Sequence, residues 1–334
     1  MPSSEAGPSW NAVEQWTAGD QIQGGRDYQE DEFAITLLTG DSSDGDRLLL
    51  VLADGMGGHA GGKVASETVV QAFWDGFRQP AADIAANLNA GVRVANEAVR
   101  ARQEADLALY EMGSTLVAAL VRDGHLYWSS VGDSLLWVFR NGQLTRLNAD
   151  HSMRPLLLGL VELGRMTEEE VRHDPRGHQL RSAIMGEDIP LVEVAASGYP
   201  LKPDDVVLLA SDGLETLSEA EMEALLTRHG NDARALVRAL LEAVTEADVV
   251  HQDNTTVLAY RVGDDRHGLH MTLDQMEAPT KLTNAKPLPS GILIREGAFR
   301  QSTQSTQPTQ PTQSTQPTPS LWTKIRTYMS GTER

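Results

Sequence analysis

The sequence predicts an α+β fold built on antiparallel sheets, and three observations carry that prediction. Short leucine-rich or β-branched runs are joined by hairpin dipeptides, long helical periodicities come in pairs, and β-α-β alternation is sparse. Residues 33–39 and 48–52 read as the first strands, separated by a turn-forming stretch over 40–46. Apolar residues then recur at helical spacing over 64–77 and 84–105, with Pro80 between them. Strands follow at 115–121 and 126–131, joined by Asp123-Gly124, and at 135–140 and 144–147, joined by Asn141-Gly142. A buried strand is expected at 204–210, helices at 219–229 and 232–247, and a closing strand at 255–262. The stretch 152–200 is the least regular part of this region.

The chain divides into regimes of different composition. Residues 1–14 read as an N-terminal extension and 15–263 as the folded domain. Residues 264–320 read as a linker and a low-complexity spacer, which from Gln301 runs through six Gln-Ser-Thr or Gln-Pro-Thr triplets. That composition predicts a disordered C-terminal tail. Beyond it, Leu321, Trp322, Ile325, Tyr328 and Met329 are spaced for one face of a short helix over 321–334. That helix reads either as a tag that docks a protein partner or as a frayed tail with accidental periodicity.

Composition excludes several classes of function. The 334 residues contain 47 Asp and Glu against 28 Lys and Arg, a formal net charge of -19. Such a surface does not attract a phosphate backbone, so no nucleic-acid partner is expected. The absence of cysteine excludes disulfides, thiolate zinc sites, iron–sulfur clusters and any cysteine nucleophile. The first residues lack a basic region followed by an apolar run, and no apolar run approaches the ~20 residues of a membrane helix. A cytoplasmic location is expected.

Carboxylates gather where strands end. Glu30-Asp31 precedes the first predicted strand, with Arg26 just upstream, and Asp54-Gly55 follows the second. Ser211-Asp212-Gly213 follows the strand near 204–210, and Asp253-Asn254-Thr255-Thr256 opens the last. One Asp-Gly is commonplace; several at equivalent strand ends suit a hard cation, because a sharp turn lets a carbonyl join the carboxylates as an oxygen ligand. An oxygen-only donor set favours magnesium or manganese. Two other signals fail: a calcium loop starting at Asp41 meets Leu52 where Glu is required, and the glycines at 57–58 and 61–62 lead to Lys63-Val64 rather than to Gly-Lys-Ser or Gly-Lys-Thr.

The motifs resemble those of the metal-dependent protein serine/threonine phosphatases of type 2C, particularly bacterial members. Arg26 with Glu30-Asp31 matches the first motif, with Gln29 where Asn is usual. Asp54-Gly55-Met56-Gly57-Gly58-His59 matches the second. Met112-Gly113-Ser114-Thr115, Val131-Gly132-Asp133-Ser134, Asp150-His151-Ser152, Ser211-Asp212-Gly213-Leu214 and Asp253-Asn254-Thr255-Thr256 follow in family order. The resemblance covers roughly residues 15–262 and implies an α-β-β-α sandwich, two antiparallel sheets flanked by helices.

The resemblance also implies a site and a chemistry. Two manganese or magnesium ions are expected, with Asp54 bridging them and the Gly55 carbonyl adding a ligand. Asp212 and Asp253 hold one ion, and Glu30 and Asp31 surround the other, directly or through water. Asp133 either contributes to a third metal site or is a strand-turn aspartate. Arg26 is expected to grip phosphate while a metal-activated water attacks phosphorus, without a phosphoenzyme. Met56 stands where many eukaryotic members carry His, so no general acid is assigned, and Leu135 replaces a usual Arg. His151 is expected to make a buried hydrogen bond, and His173 and His178 to lie on the surface. The expected activity is hydrolysis of phosphoserine and phosphothreonine in proteins, opposing a bacterial serine/threonine kinase. The alternatives are a catalytically silent phosphoprotein-binding scaffold on the same fold and a partner-switching phosphatase acting on an anti-sigma antagonist. Degenerate scaffolds typically lose metal aspartates, and Asp54, Asp212 and Asp253 are all present.

Overall fold

The computed structural model describes residues 16–38, 47–57 and 61–263, and the backbone of 292–296. In chain order the elements are β1 (Thr17–Ile22), β2 (Asp31–Leu38), β3 (Arg47–Met56), α1 (Gly61–Phe77), α2 (Ile84–Ala105), β4 (Gly113–Ser114), β5 (Leu116–Arg122), β6 (His125–Val131), β7 (Leu135–Arg140) and β8 (Gln143–Arg146). They continue with α3 (Arg154–Glu162), α4 (Glu168–His173), β9 (Glu193–Pro200), β10 (Val206–Ala210), α5 (Glu219–His229), α6 (Ala233–Glu246), β11 (Thr255–Arg261) and β12 (Ile292–Glu296).

The strands form two sheets. One has the order β1-β11-β10-β7-β8; the other has the order β12-β2-β3-β5-β6-β9, with β4 beside β3. All described pairs are antiparallel except β12 with β2. The hairpins close as their sequences require: Asp123-Gly124 and Asn141-Gly142 all have positive φ, the conformation of a two-residue turn that matches strand twist.

Continuous apolar strands arise here because both faces of each sheet are covered. Leu48, Leu50 and Leu52 of β3 enter the layer between the sheets, together with Leu136, Val138, Val207, Leu209 and Leu258. The alternate residues Leu49, Val51 and Ala53 face outward, where α1 and α2 cover them with Val69, Phe73, Trp74, Leu88 and Val92. On the other sheet Trp137, Leu208 and Val257 face α5 and α6, which contribute Met222, Leu226, Leu236, Val237 and Leu240. The α-β-β-α sandwich therefore stands. The helices start on side-chain caps: Asp83 accepts from the Ala86 N–H, Asp232 from the Ala235 N–H, and Ser218 with Glu221 makes a capping box.

Several elements go beyond the sequence expectation. β1 precedes the strand expected first, α3 and α4 lie within the irregular stretch 152–200, and β9 closes one sheet edge. β12 lies in the stretch expected as linker and adds to the β2 edge, with Ile292 opposite Ala34 and Glu296 opposite Leu38. The turn at 40–46, His59, the spacer and the helix expected over 321–334 lie outside the described residues. Among the described residues no helix is long and apolar enough to cross a membrane.

Candidate active site

Two acids meet where β2 and β3 run side by side, since the register sets Asp31 opposite Asp54. The backbone at Asp54 is fixed on both sides. Its N–H donates to Thr115 Oγ1 at 2.9 Å, and its carbonyl accepts from the Thr115 N–H and the Ser114 hydroxyl, each at 2.9 Å. Thr115 Oγ1 also bonds Ser134 Oγ at 2.7 Å, which ties the clamp to the Asp133 turn. Next to Asp54 the chain has no room for side chains. A Cβ on Gly55 would lie 2.0 Å from the Gly62 carbonyl oxygen, and one on Gly62 would lie 2.3 Å from Glu30 Oε1. Glycine at both positions lets the start of α1 approach Gly55 and Glu30.

The opposite sheet supplies Asp212 just after β10 and Asp253 just before β11. Hydroxyls from that sheet reach across to Asp31, whose Oδ2 accepts from Ser211 Oγ at 2.8 Å and Thr256 Oγ1 at 2.7 Å. Gln252 braces the Asp253 turn. Its amide donates to the Gly213 carbonyl at 3.0 Å, and its Oε1 accepts from the Thr216 hydroxyl at 2.7 Å. Glu30 joins from the start of β2, its N–H donating to Asn254 Oδ1 at 2.8 Å.

Arg26 sits on the loop between β1 and β2 and is half exposed; its Nη2 donates to Asp253 Oδ2 at 2.5 Å. Glu30 and Asp212 also act on its charge. Gln29, at the position where Asn was the expected type, braces this loop by donating to the Ile22 carbonyl at 3.1 Å and accepting from the Asp31 N–H at 3.0 Å.

Burial first, and neighbouring acids after it, raise the pKa values of the site. Burial pushes Asp54 well above the usual carboxylate range, and Asp31, Asp212, Asp133 and Asp253 push further. Asp212 is likewise held well above its ordinary value by burial and then by Asp133, Asp253 and Asp31. Burial raises Asp31 to about 6 despite the two hydroxyl donors, and raises Asp133 to about 7 with help from Asp150. Glu30 rises through burial as well. His151 moves the other way, since burial disfavours its charged form; its Nδ1 accepts from the Gly132 N–H at 3.3 Å, the expected buried bond. His173 and His178 are exposed, and Leu135 is buried among the residues that face α5 and α6.

The donor set fits hard cations. Glu30 Oε1, Asp31 Oδ1 and Asp212 Oδ1 are buried oxygens without a hydrogen-bond partner, an arrangement that costs free energy until positive charge meets it. Among the described residues no three such side chains already close around one point. An open arrangement suits magnesium and manganese, which bind through a few carboxylates and keep several waters. The structure thus brings Asp31, Asp54, Asp133, Asp212 and Asp253 within electrostatic reach of one another, with Glu30 and Arg26 at the rim. Sequence reasoning assigned no role to the bracing residues Ser114, Thr115, Ser134, Ser211, Gln252, Asn254 and Thr256. All but Gln252 stand inside the quoted motifs, and a polar residue beside each acid was the available signal.

Comparison with known proteins agrees with this geometry. Residues 27–259 match the family described as Protein phosphatase 2C. The serine/threonine protein phosphatase PstP of Mycobacterium tuberculosis is 35% identical over 232 residues, which cover 65% of this chain and 44% of that protein. The chain therefore spans less than half the length of this curated relative. The serine/threonine phosphatase stp of Listeria innocua is 33% identical over 217 residues, covering 63% of this chain and 82% of that protein. Among solved structures, the M. tuberculosis phosphatase PstP/Ppp superposes with a TM-score of 0.62 at 30% identity, covering 74% of this chain and 98% of that one. The PstP catalytic domain in complex with two manganese ions gives a TM-score of 0.60 at 32% identity, with the same coverage.

Proposed function

The chain belongs to the protein phosphatase 2C family, and from that premise we propose that it hydrolyses phosphoserine and phosphothreonine in proteins, opposing a bacterial serine/threonine kinase. The observation that carries this reading is the acid set: Asp31, Asp54 and Asp212 have raised pKa values, and Glu30, Asp31 and Asp212 each hold a buried oxygen without a partner, which marks a site short of positive charge. Two manganese or magnesium ions, joined by a third if Asp133 holds one, would supply charge neutralisation and an acidified water nucleophile when bound. The two manganese ions of the PstP catalytic domain support the count of two. In this reading Asp54 would hold both ions, the Gly55 carbonyl would add a ligand, Asp212 and Asp253 would hold one ion, and Glu30 and Asp31 would surround the other, directly or through water. Arg26 exchanges Asp253 for the phosphate oxygens, its fork of donors matching an anion whose charge redistributes in the transition state.

The test is dephosphorylation of phosphoserine and phosphothreonine peptides before and after chelation. Activity is expected to vanish in chelator and to return with manganese more than with calcium; hydrolysis undiminished by exhaustive chelation overturns the reading. The reading also places the protein in the cytoplasm, and takes the repeat from Gln301 as a spacer and 321–334 as a docking segment for a protein partner. Truncation after Arg300 is then expected to leave peptide hydrolysis unchanged and to slow dephosphorylation of that partner. Equal rates on the partner remove the docking role.

A further inference from the structure

One buried amide joins the strand that follows Asp253 to the loop that carries Arg26. Asn254 is 3% exposed. Its Oδ1 accepts from the Glu30 N–H at 2.8 Å, and its Nδ2 donates to the carbonyls of Gln23 at 2.8 Å and Tyr28 at 3.0 Å. Those three backbone groups belong to the segment 23–30, and Arg26 lies between the two carbonyls. The segment's other bonds come from Gln29, as described above, from the Arg26–Asp253 pair and from three further contacts. Gly25 donates to the Gln252 carbonyl at 2.7 Å, the Gln23 amide closes on the Arg26 carbonyl at 2.7 Å, and Gly55 donates to the Glu30 carbonyl at 3.2 Å. Residues 23–30 lie between β1 and β2, outside either strand ladder.

A buried amide must be satisfied somewhere, and three bonds would meet that need anywhere in a core. Its backbone N–H donates to Asp253 Oδ1 at 2.8 Å, and what distinguishes Asn254 is where its three side-chain bonds go. All three fix the Arg26 segment, and the residue before it, Asp253, is the ion-pair partner of Arg26. The amide therefore sets the position of the guanidinium relative to the acid cluster, while touching neither Arg26's side chain nor the acids'. We propose that Asn254 is a positioning residue that holds Arg26 where it meets the phosphate of the substrate. The inference rests on the phosphate-gripping role given to Arg26 above. Freed from the amide, a long side chain on a short loop samples many placements, and small misplacements of a binding group are costly to turnover.

A double-mutant cycle tests this on the full chain at saturating manganese, with a phosphothreonine peptide as substrate. Arg26→Ala and Asn254→Ala are each expected to lower kcat/KM, by about 10- to 100-fold for Asn254→Ala. In the Arg26→Ala background, Asn254→Ala is expected to add little, because its effect runs through the guanidinium. Asn254→Asp keeps the acceptor for the Glu30 N–H and removes both donors, so it is expected to show the same dependence on Arg26; it carries the cycle if Asn254→Ala does not fold. Independent, multiplicative losses would mean a general structural role and overturn the inference, as would an unchanged kcat/KM in both Asn254 variants. An Arg26→Ala variant with wild-type kcat/KM would instead overturn the phosphate role of Arg26, and the inference with it.

Discussion

The middle of the sandwich and its acidic end are built by the same strands, yet they are stabilised in opposite ways. In the middle, Leu48, Leu50, Leu52, Val117, Leu136 and Leu209 pack apolar surface from both sheets into one dry layer. A few residues along, β2 begins at Asp31, β3 reaches Asp54, and β10 leads through Ser211 to Asp212. Asp31 is as fully buried as Leu50. The middle gains from every group it removes from water, whereas the end removes charges from water and sets them against one another. The sandwich therefore carries, at the end of its apolar layer, acids that oppose one another where no positive charge meets them. Polar bonds across the sheets, from Ser211, Thr256 and Asn254, join the two halves where apolar packing stops.

The largest expected effect separates the two regions by activity. Asp54→Asn, and likewise Asp253→Asn, is expected to lower metal-dependent turnover by on the order of 10³-fold, the rate equivalent of several kcal/mol of metal-borne stabilisation. The fold should remain, and the metal-free melting temperature of Asp54→Asn should hold or rise, since one of the mutually repelling acids is gone. In the middle, Leu50→Ala is expected to cost about 2–5 kcal/mol in denaturant unfolding while the metal-saturated enzyme keeps its kcat. The comparison breaks if Asp54→Asn unfolds the metal-free protein as Leu50→Ala does.

A pH titration of stability sharpens the contrast. Asp31 and Asp133 have folded-state pKa values raised to about 6 and about 7, above the ordinary aspartate value of about 4 in an unfolded chain. Between those limits the metal-free folded state binds more protons than the unfolded state, so stability falls as pH rises through the window. The chelated protein is thus expected to melt higher at pH 5 than at pH 7.5, and saturating manganese should reverse the order, because ions bind the deprotonated acids. Equal melting temperatures at both pH values in chelator would show that Asp31 and Asp133 are not held above their ordinary values.

The elements best read from sequence are those whose stability is local. Residues 84–105 and 219–229 form helices with the expected bounds, and both hairpin dipeptides turn as expected, because periodicity, caps and positive-φ residues act over a few positions. β1 was missed because Thr-Ala-Gly-Asp-Gln-Ile has no strand alternation of its own; it is an edge strand held by its ladder to β11. α3 and α4 are too short for periodicity to declare them, although Thr167 and Glu170 form a capping box. The acids of the site were legible as motifs. Their cross-sheet partners were not assigned, since the bond from Thr256 to Asp31 joins positions 225 residues apart and exists only once two sheets are packed in register.

That bond supplies the smallest expected effect. Thr256→Val keeps the side-chain shape and removes only the hydroxyl, leaving Ser211 as the remaining donor to Asp31 Oδ2. Ser211 is the poorer choice for mutation, because its Oγ also accepts from the Thr256 N–H at 2.9 Å and its loss would strand a buried donor. The Thr256 hydroxyl favours the charged form of Asp31, so its removal should raise that acid above its present value of about 6. Manganese must then displace a more tightly held proton. The expected result is a manganese affinity weaker by up to about 10-fold near pH 6.5, with the difference shrinking toward pH 8, where Asp31 is ionised in both proteins. Calorimetric titration of manganese at the two pH values measures it. An affinity loss that is the same at both would mean that Thr256 acts on the shape of the site rather than on the charge of Asp31.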